Sequence, residues 1–326
     1  MTRSACLIFN PVAGQGNPEQ DLATIKSLLE PEFELEVRVT TADCDPGELA
    51  RDAIARGADA IIASGGDGTL SAVTGATLGT NIPVGIISRG TANAFATALS
   101  FPTTIEEACQ VIVEGKTRIV DAALCNGKPM VLLAGIGFEA ETIEGASREV
   151  KNRFGMLAYI LSGIQQLRNF EQFEVKIETD DKIITTVAAA VTVANVAPPT
   201  SVLAQGAAGI IEDDGLLDIT IVAPSDRASA VAASYHLLQT GMRGEAVERD
   251  DIGYLRAQRV KISTEPPQKV ALDGEPIGKT PIEVECIPQG LTLFVPAILI
   301  PDGEPIEKLE DLPNVKIELK EEAEPQ

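Results

Sequence analysis

The stretch Ser64-Gly65-Gly66-Asp67-Gly68-Thr69 follows an apolar segment, residues 58–63, and precedes a segment with helical spacing, residues 70–76. A buried strand, a glycine-rich turn and the start of a helix together form an anion-binding site, because backbone N–H groups point outward and the helix dipole favours negative charge. Asp67 would repel a bare phosphate, so its presence predicts a cation between the two, most readily Mg²⁺. The alternative is an ordinary glycine-rich turn between a strand and a helix.

The composition of the chain limits its partners. The 326 residues include 26 basic and 48 acidic side chains, which give a formal net charge of -22. Such a surface repels the phosphates of nucleic acids and disfavours anionic membranes, so we expect no nucleic-acid partner. A nucleotide ligand would have to be held locally, by backbone amides and a metal ion rather than by the field of the whole protein.

Cysteine usage indicates a reducing compartment. The five cysteines are odd in number, widely spaced and without a CxxC pair, which favours free thiols over disulfides or a zinc site. The chain shows no signal-peptide pattern, and no apolar run approaches the roughly 18–20 residues of a membrane span. We therefore expect a cytoplasmic protein. The single histidine, His236, lies in a helical pattern, so catalysis by histidine has little support.

The pattern of apolar segments predicts two domains. In residues 1–124, strand-like and helical segments alternate, which predicts an α/β domain with a mainly parallel sheet and ligands at the carboxyl ends of its strands. Residues 125–296 are dominated by strand patterns, among them 183–196, 282–286 and 291–295, and form a β-rich second domain. The segment 297–318 is a candidate to pack back on the first domain, and residues 319–326 are expected to form a solvated acidic tail.

Four polar loops of the first domain follow predicted strands, so they share one rim of the parallel sheet. They are residues 10–16, 40–41, 65–69 and 88–93. Glycines and hydroxyls at such a rim suit a phosphate ligand. Thr91 stands at the start of a predicted helix, where it is either the N-cap or a hydroxyl that contacts a phosphate, and residue type alone leaves both open.

The sequence Leu272-Asp273-Gly274-Glu275 supplies two carboxylates in the second domain. On a strand, residues two apart face the same way, so Asp273 and Glu275 would point together, as a general base and a metal ligand require. The alternative is a surface turn, since Asp-Gly is a common turn sequence. The glycine-rich stretch at 65–69 favours the chemical interpretation, because phosphoryl transfer needs a metal and a base together.

A second acidic cluster lies at residues 211–218, where four acids occur within eight residues. A hard cation such as Mg²⁺ could be held there by turn carbonyls together with a carboxylate. The spacing does not match an EF-hand loop, and a solvated acidic turn fits the same residues. The sequence leaves both interpretations of this cluster open.

In their order along the chain, these segments resemble the diacylglycerol kinase catalytic family, in particular the bacterial YegS-like lipid kinases. The matching pieces, spread over residues 5–295, are Asn10-Pro11 with Gly14, Gly65 to Thr69, Gly90-Thr91-Ala92-Asn93-Ala94-Phe95-Ala96, Gly135-Ile136-Gly137-Phe138, Asp213 to Asp218, and Leu272 to Glu275. Their order is more specific than any single motif. The resemblance implies a Rossmann-like, NAD-kinase-like α/β nucleotide domain, a β-sandwich-like second domain and a cleft between them.

The resemblance also implies an ATP- and Mg²⁺-dependent kinase that acts on a lipid hydroxyl, such as that of diacylglycerol. Asp67 and Glu275 would serve the catalytic Mg²⁺, and Asp273 would be the base for the lipid hydroxyl, with Glu275 assisting. The ATP site would be lined by Asn10, Thr40, Thr41, Gly65, Gly66, Asp67, Gly68, Thr69 and Thr91.

The resemblance further implies a structural Mg²⁺ site, held by the main-chain carbonyls of Ile211 and Leu216 and the carboxylate of Asp214. A lipid substrate requires a transient, peripheral membrane contact. The helical stretch 140–168 is a candidate surface for that contact, with plain core packing as its alternative. The oligomeric state is left open, with a homodimer among the options, and so is the identity of the lipid.

Two other functions stay open, and one departure from the family pattern bears on the second of them. Ala94 stands where the family usually carries Asp after Asn93, so any hydrogen bond of that acid is missing. NAD kinases share the turn at 65–69 and a similar two-domain plan, although Asn10-Pro11 and Gly90 to Asn93 fit the lipid kinases better. A non-catalytic nucleotide-binding regulator is the third candidate, and Ala94 leaves room for it.

Overall fold

The computed structural model describes residues 3–14, 16–137, 171–198, 201–207, 210–296 and 307–320. The chain divides into two compact units, Met1–Ala122 with Pro288–Pro301 and Ala123–Ile287 with Asp302–Gln326. Each unit has its own buried apolar core. Among the described helices, none is both long and apolar enough to cross a membrane.

The described helices and strands are numbered in chain order. They are β1 (Arg3–Phe9), α1 (Pro18–Leu29), β2 (Phe33–Val39), α2 (Pro46–Ala55), β3 (Ala60–Gly65), α3 (Asp67–Thr77), β4 (Val84–Ser88), α4 (Ala94–Ala98), α5 (Ile105–Glu114), β5 (Thr117–Cys125), β6 (Lys128–Met130), β7 (Leu133–Gly137), β8 (Phe173–Glu178), β9 (Lys182–Ala188), β10 (Ala190–Ala194), β11 (Leu217–Val222), α6 (Arg227–Arg243), β12 (Ile252–Ala257), β13 (Arg259–Glu265), β14 (Lys269–Leu272), β15 (Glu275–Lys279), β16 (Ile282–Phe294) and β17 (Lys316–Leu319). A short 3₁₀ turn spans Val202–Ala204.

The first unit is built on a parallel sheet in the order β2-β1-β3-β4, with Leu293 of β16 beside Val84 of β4. Strands β1, β3 and β4 are largely buried along their length, as expected for a parallel sheet with helices on both faces. Ile25 of α1 and Ile112 of α5 pack on Ile62 at one face. Helices α2 and α3 pack on each other, and right-handed crossovers place them on the opposite face. The predicted α/β fold is confirmed.

The strand order of this sheet reverses between β1 and β3. The chain passes from β1 outward to β2, returns across β1 to β3, and continues to β4. In such sheets, ligands bind in the crevice outside the carboxyl ends of the strands at the point of reversal. The loops that follow β1 and β3 flank that crevice, and the N–H of Asn10 donates to the carbonyl of Ser64 between them (2.9 Å).

The second unit is a β-sandwich, which confirms the predicted fold class. One antiparallel sheet has the order β17-β9-β8-β13-β16, and the other has the order β12-β11-β10-β7-β14-β15. Along β8, buried Val175 and Ile177 alternate with the exposed side chains of Glu174 and Lys176, because successive residues of a strand face opposite sides of the sheet. The inner faces of the two sheets share one apolar cluster. Helix α6 packs on the outer face of the second sheet.

Two predicted strand boundaries are wrong. The continuous apolar pattern predicts one strand over 183–196, whereas β9 and β10 belong to different sheets and are separated at Ala189. Conversely, segments 282–286 and 291–295 are predicted as two strands but form the single strand β16. Gln289, at φ 55, sits within that strand, and its N–H donates to the carboxylate of Asp121 (2.8 Å).

The C-terminal segment differs from the expectation that 297–318 returns to the first domain. Its described part, residues 307–320, packs within the second unit, because Leu309 and Leu312 fill the sandwich core and β17 pairs with β9. Leu319, expected at the start of the tail, ends β17. Residues 288–296, predicted in the second domain, belong to the first unit. The predicted helix at 140–168, together with 297–306 and 321–326, lies outside the described residues.

Replacing Leu312 with alanine tests the role of this segment. Leu312 is 4% exposed, so Leu312→Ala is expected to lower the free energy of unfolding by about 2–5 kcal/mol through the cavity that it leaves. Leu319→Ala is the matched control, because Leu319 is 79% exposed and its loss should change stability by less than about 0.5 kcal/mol. Urea unfolding followed by circular dichroism measures both, and equal effects would contradict the packing of this segment.

Candidate functional site

The glycine-rich stretch joins β3 directly to α3. Gly66 is the N-cap residue, and the helix begins at Asp67, so Asp67, Gly68 and Thr69 form its first turn rather than a loop before residue 70. Gly66 has no side chain that could accept from the first N–H groups of the helix. These donors therefore face the crevice at the carboxyl end of β3, where an anion can accept from them.

The loops after β3 and β4 meet through their backbones. A Cβ atom added to Gly90 would lie 2.6 Å from the Cα atom of Gly66, which no real side chain tolerates. The N–H of Arg89 also donates to the carbonyl of Gly65 (2.8 Å). Glycine is thus required at position 90 because two main chains approach each other there.

Asp67 lies at this contact and links α3 to α4. Its carboxylate accepts from the N–H of Phe95 at 3.4 Å, in the first turn of α4, whose own N-cap residue makes no side-chain cap bond. Burial raises the pKa of Asp67 above its usual value, and the N–H groups of Phe95, Ala94 and Asn93 act in the opposite direction. Asp67 is therefore half-buried and held by the end of a neighbouring helix.

The N-cap of α4 is Asn93, in a left-handed conformation at φ 46, so the interpretation of Thr91 as the N-cap is wrong. Thr91 is exposed at the rim. The side-chain amide of Asn93 donates to the carbonyl of Gly90 (3.0 Å). Its Oδ1 atom is buried without a hydrogen-bond partner among the described residues. Asn93 thus presents an acceptor inside the site.

The loop after β1 contributes Asn10, which contacts the glycine-rich turn. Its side-chain amide donates to Oγ1 of Thr69 (2.9 Å), and its Oδ1 accepts from the N–H of Val12 (3.1 Å). Thr40 is buried and donates its N–H to the carbonyl of Phe9 (2.9 Å), whereas Thr41 is exposed. The first turn of α3 is therefore fixed from the β1 side by a side-chain hydrogen bond.

Arg89 lies in the predicted polar loop 88–93, but the sequence analysis assigned it no role in this site. Its side chain is 3% exposed, and its guanidinium pairs with Asp21 of α1 at 2.7 Å and donates to the carbonyl of Asn10 at 2.8 Å. It also stacks over the ring of Phe9 at 4.4 Å. One buried cation thus joins β1, α1 and the loop after β4. The available signal was that Arg89 directly precedes the motif from Gly90 to Asn93.

A small pocket lies among these elements within the first unit. Its lining residues are Ala63, Gly65, Gly66, Asp67, Leu70, Ile86, Ile87, Ser88 and Asn93. Asp67 is the one acidic side chain among them. The glycine turn that was predicted to hold phosphates therefore borders a cavity with a single carboxylate and backbone N–H donors.

Asp273 lies in the second unit, and the expectation of a strand at this residue is wrong. Asp273 and Gly274 both have positive φ values, 48 and 87, and form the two-residue turn between β14 and β15. The carboxylate of Asp273 accepts from three consecutive N–H groups, those of Val131, Leu132 and Leu133, at 2.9–3.0 Å. These donors stabilise its ionised form and fix its orientation. Glu275 is exposed at the start of β15.

The acidic turn at 211–218 also lies in the second unit. Asp214 accepts the N–H of Leu216 at 2.9 Å, and its other oxygen is 3.5 Å from the guanidinium of Arg256. Arg256 also pairs with buried Asp218 at 2.8 Å, and burial raises the pKa of Asp218 to about 6. Within the described residues, no group of three or more His, Cys, Asp or Glu side chains could hold a metal ion.

Two family models match the chain. The diacylglycerol kinase catalytic domain matches residues 4–125, and the YegS C-terminal NAD kinase beta sandwich-like domain matches residues 133–295. The chain belongs to the diacylglycerol kinase family. Its members include the lipid kinases predicted from the motifs, so the resemblance and the enzyme class, a kinase, are confirmed.

Individual relatives cover nearly the whole chain. A diacylglycerol kinase of Bacillus subtilis is 31% identical over 86% of this chain and 92% of its own length. An uncharacterised protein of Synechocystis is 47% identical over 90% of this chain and 71% of its own length. The crystal structure of a candidate diacylglycerol kinase from Bacillus anthracis has a TM-score of 0.77 and 28% identity, and the match covers 91% of this chain and 98% of that one.

Arg89→Gln tests whether the buried guanidinium holds the site together. We expect this variant to lose about 2–3 kcal/mol of stability, because Asp21 is left without its cation and three contacts are broken. Arg51→Gln is the matched control, since Arg51 pairs with Asp45 at 3.4 Å on the surface and should contribute less than about 0.5 kcal/mol. Thermal unfolding gives both values, and similar losses for the two variants would argue against this role.

Proposed function

We propose that this kinase transfers the terminal phosphoryl group of ATP to the hydroxyl of a lipid such as diacylglycerol, in a Mg²⁺-dependent reaction. The observation that carries the proposal is the glycine turn at the β1/β3 reversal, where Asp67 stands beside helix N–H donors. The family assignment supports the same chemistry. The similarity to a diacylglycerol kinase of Bacillus subtilis supports diacylglycerol as the first substrate to test.

The first turn of α3 is suited to a triphosphate. Gly68 has open space around it, since an added Cβ would meet nothing within 4 Å, so phosphate oxygens can approach its backbone. Thr69, fixed by Asn10, adds a hydroxyl donor, and Thr40, Thr41 and Thr91 are the proposed rim contacts.

The donor chemistry near Asp67 fits a divalent cation. A half-buried carboxylate beside phosphate oxygens provides the oxygen ligands that Mg²⁺ prefers. We propose Asp67 and Glu275 as its protein ligands. When bound, Mg²⁺ neutralises negative charge on the phosphates, which neither glycine nor threonine can do. Asp67 is the only carboxylate among the described pocket residues, so a cation bound in this pocket would depend on it.

We assign the role of general base to Asp273. Its ionised carboxylate is oriented by three N–H groups, and a fixed carboxylate can accept the proton of a lipid hydroxyl as the phosphoryl group is transferred. A structural Mg²⁺ at Ile211, Asp214 and Leu216 is a further proposal. Its donor set, one carboxylate and two carbonyls, suits Mg²⁺, although Arg256 already supplies positive charge to Asp214.

The proposed reaction is tested by incubating the protein with labelled ATP, Mg²⁺ and a total lipid extract, and then identifying the labelled lipid. Label in a phospholipid that matches phosphorylated diacylglycerol is the expected result. Formation of NADP from NAD and ATP would instead assign an NAD kinase. Tight ATP binding without turnover on any alcohol would reject the proposal in favour of a regulator.

Substitution of the two acids in the second unit separates their roles. Asp273→Asn should lower kcat about a hundredfold or more with little change in the KM for ATP, because the base is lost and the nucleotide site is intact. It should also cost about 1–3 kcal/mol of stability, since the new amide group faces N–H donors. Kinetics are therefore normalised to the folded fraction.

Glu275→Gln is the comparison variant. Glu275 is exposed, so its thermal unfolding should match that of the unsubstituted protein, whereas its Mg²⁺ requirement should rise. Undiminished kcat in Asp273→Asn would remove Asp273 as the base, and an unchanged Mg²⁺ requirement in Glu275→Gln would remove Glu275 as a ligand.

A further inference from the structure

Helix α6 carries apolar residues on two opposite faces. Ala233 and Leu237 are buried against Val222 and Ile252 of the second sheet. On the opposite side, Tyr235 is 65% exposed and Val231 is 46% exposed. A helix turns by about 100° per residue, so these two side chains share one face of the helix with two exposed alanines. We call this surface the α6 strip; it consists of Ala228, Val231, Ala232 and Tyr235.

The charges around the α6 strip differ from those of the rest of the protein. From Arg227 to Arg243 the helix contains no Asp or Glu, although the chain has 48 of them and a net charge of -22. Arg227 and Arg243 lie at opposite ends of the helix. Around the helix axis they lie about 80° from Tyr235 on opposite sides, so they flank the strip. Three described acidic residues outside the helix contact it: Asp226 caps it, Glu245 lies 3.9 Å from Arg243, and Asp251 accepts from the hydroxyl of Ser229 at 2.7 Å. Ser229 lies about 120° around the helix from Tyr235, so Asp251 is off the strip.

We propose that the α6 strip is the surface through which this kinase docks on a lipid bilayer that contains anionic lipid. This inference rests on the proposed function, since a lipid hydroxyl must be reached at a bilayer. A helix that lies in a bilayer interface has an apolar face flanked by basic residues, and tyrosine is favoured at the headgroup level. An acid-free helix is where so acidic a protein can approach lipid phosphates with least repulsion.

A second copy of the chain fits the same surface less well. Two α6 helices related by a twofold axis and running antiparallel would bring Arg227 of one near Arg243 of the other at both ends of the contact. Like charges that face each other across an interface are destabilising, and both partners would carry a net charge of -22. Lipid phosphates, by contrast, are complementary to both arginines.

The experiment is flotation of the full-length protein with vesicles of phosphatidylcholine alone or mixed with phosphatidylglycerol. The unsubstituted protein is expected to float with the mixed vesicles. The double variant Val231→Asp, Tyr235→Asp should bind them about tenfold or more weakly, since two apolar contacts are replaced by charges that the surface repels. Leu28→Asp on α1 is the matched control, because Leu28 is an exposed apolar helix residue at 37%, and its binding should be unchanged.

A second variant tests the electrostatic part of the proposal. Arg227→Gln with Arg243→Gln should weaken binding to mixed vesicles about fivefold for each arginine and reduce its sensitivity to salt. Circular dichroism checks that all variants fold. We expect them to fold, because the substituted side chains are exposed. Equal binding of the double aspartate variant and Leu28→Asp, or no binding by the unsubstituted protein, would overturn the docking surface.

Sedimentation velocity distinguishes the competing occupant. A dimer of the unsubstituted protein that dissociates in the double aspartate variant would assign the α6 strip to a second copy and overturn the bilayer proposal. Turnover of lipid dispersed in detergent micelles is measured separately. Its absence, with vesicle binding retained, would count against the proposed kinase reaction alone, while its presence without vesicle binding would count against the docking surface alone.

Discussion

The nucleotide half of this protein depends on two loop backbones that approach within van der Waals distance. Because Gly66 and Gly90 have no side chains, the loop after β4 lies directly on the turn after β3. That contact brings the first turn of α4 to the carboxylate of Asp67. A side chain at position 90 would separate the two helix N-termini that point into the same pocket. The site is thus a consequence of main-chain packing before any reactive side chain is considered.

A buried cation completes this arrangement from the other side of the sheet. Arg89 follows β4, yet its guanidinium reaches Asp21 of α1 and the main chain after β1. The planar group makes several directed contacts at once, which a lysine could not reproduce. The three elements around the crevice are therefore held by one side chain that carries no expected catalytic role, and a positive charge is buried beside a site suited to anions.

In the second unit, the pair Asp273-Gly274 forms a turn and also positions a carboxylate. The Asp-Gly turn between β14 and β15 is what the common turn sequence predicts, whereas the strand geometry expected for the paired acids is absent. Asp273 nevertheless accepts from three backbone N–H groups at and just before the start of β7, so a turn residue becomes a carboxylate of fixed orientation. The C-terminal segment, expected with the first domain, instead supplies Leu309 and Leu312 to this unit's core.

Alternating apolar segments and short glycine motifs are local signals, and they were enough to predict the α/β and β-rich halves, the glycine turn and the kinase family. Three features came from the folded structure alone: the division of 183–196 between two sheets, the ion pair of Arg89 with Asp21, and the contact of Asp273 with Val131, 142 residues away in the chain. Such contacts depend on loop closure between distant residues, and no local pattern of apolar or charged side chains encodes which partner will be met. The exposed face of α6 is decided in the same way, since a helix that is apolar on both faces gives no sequence period to separate them.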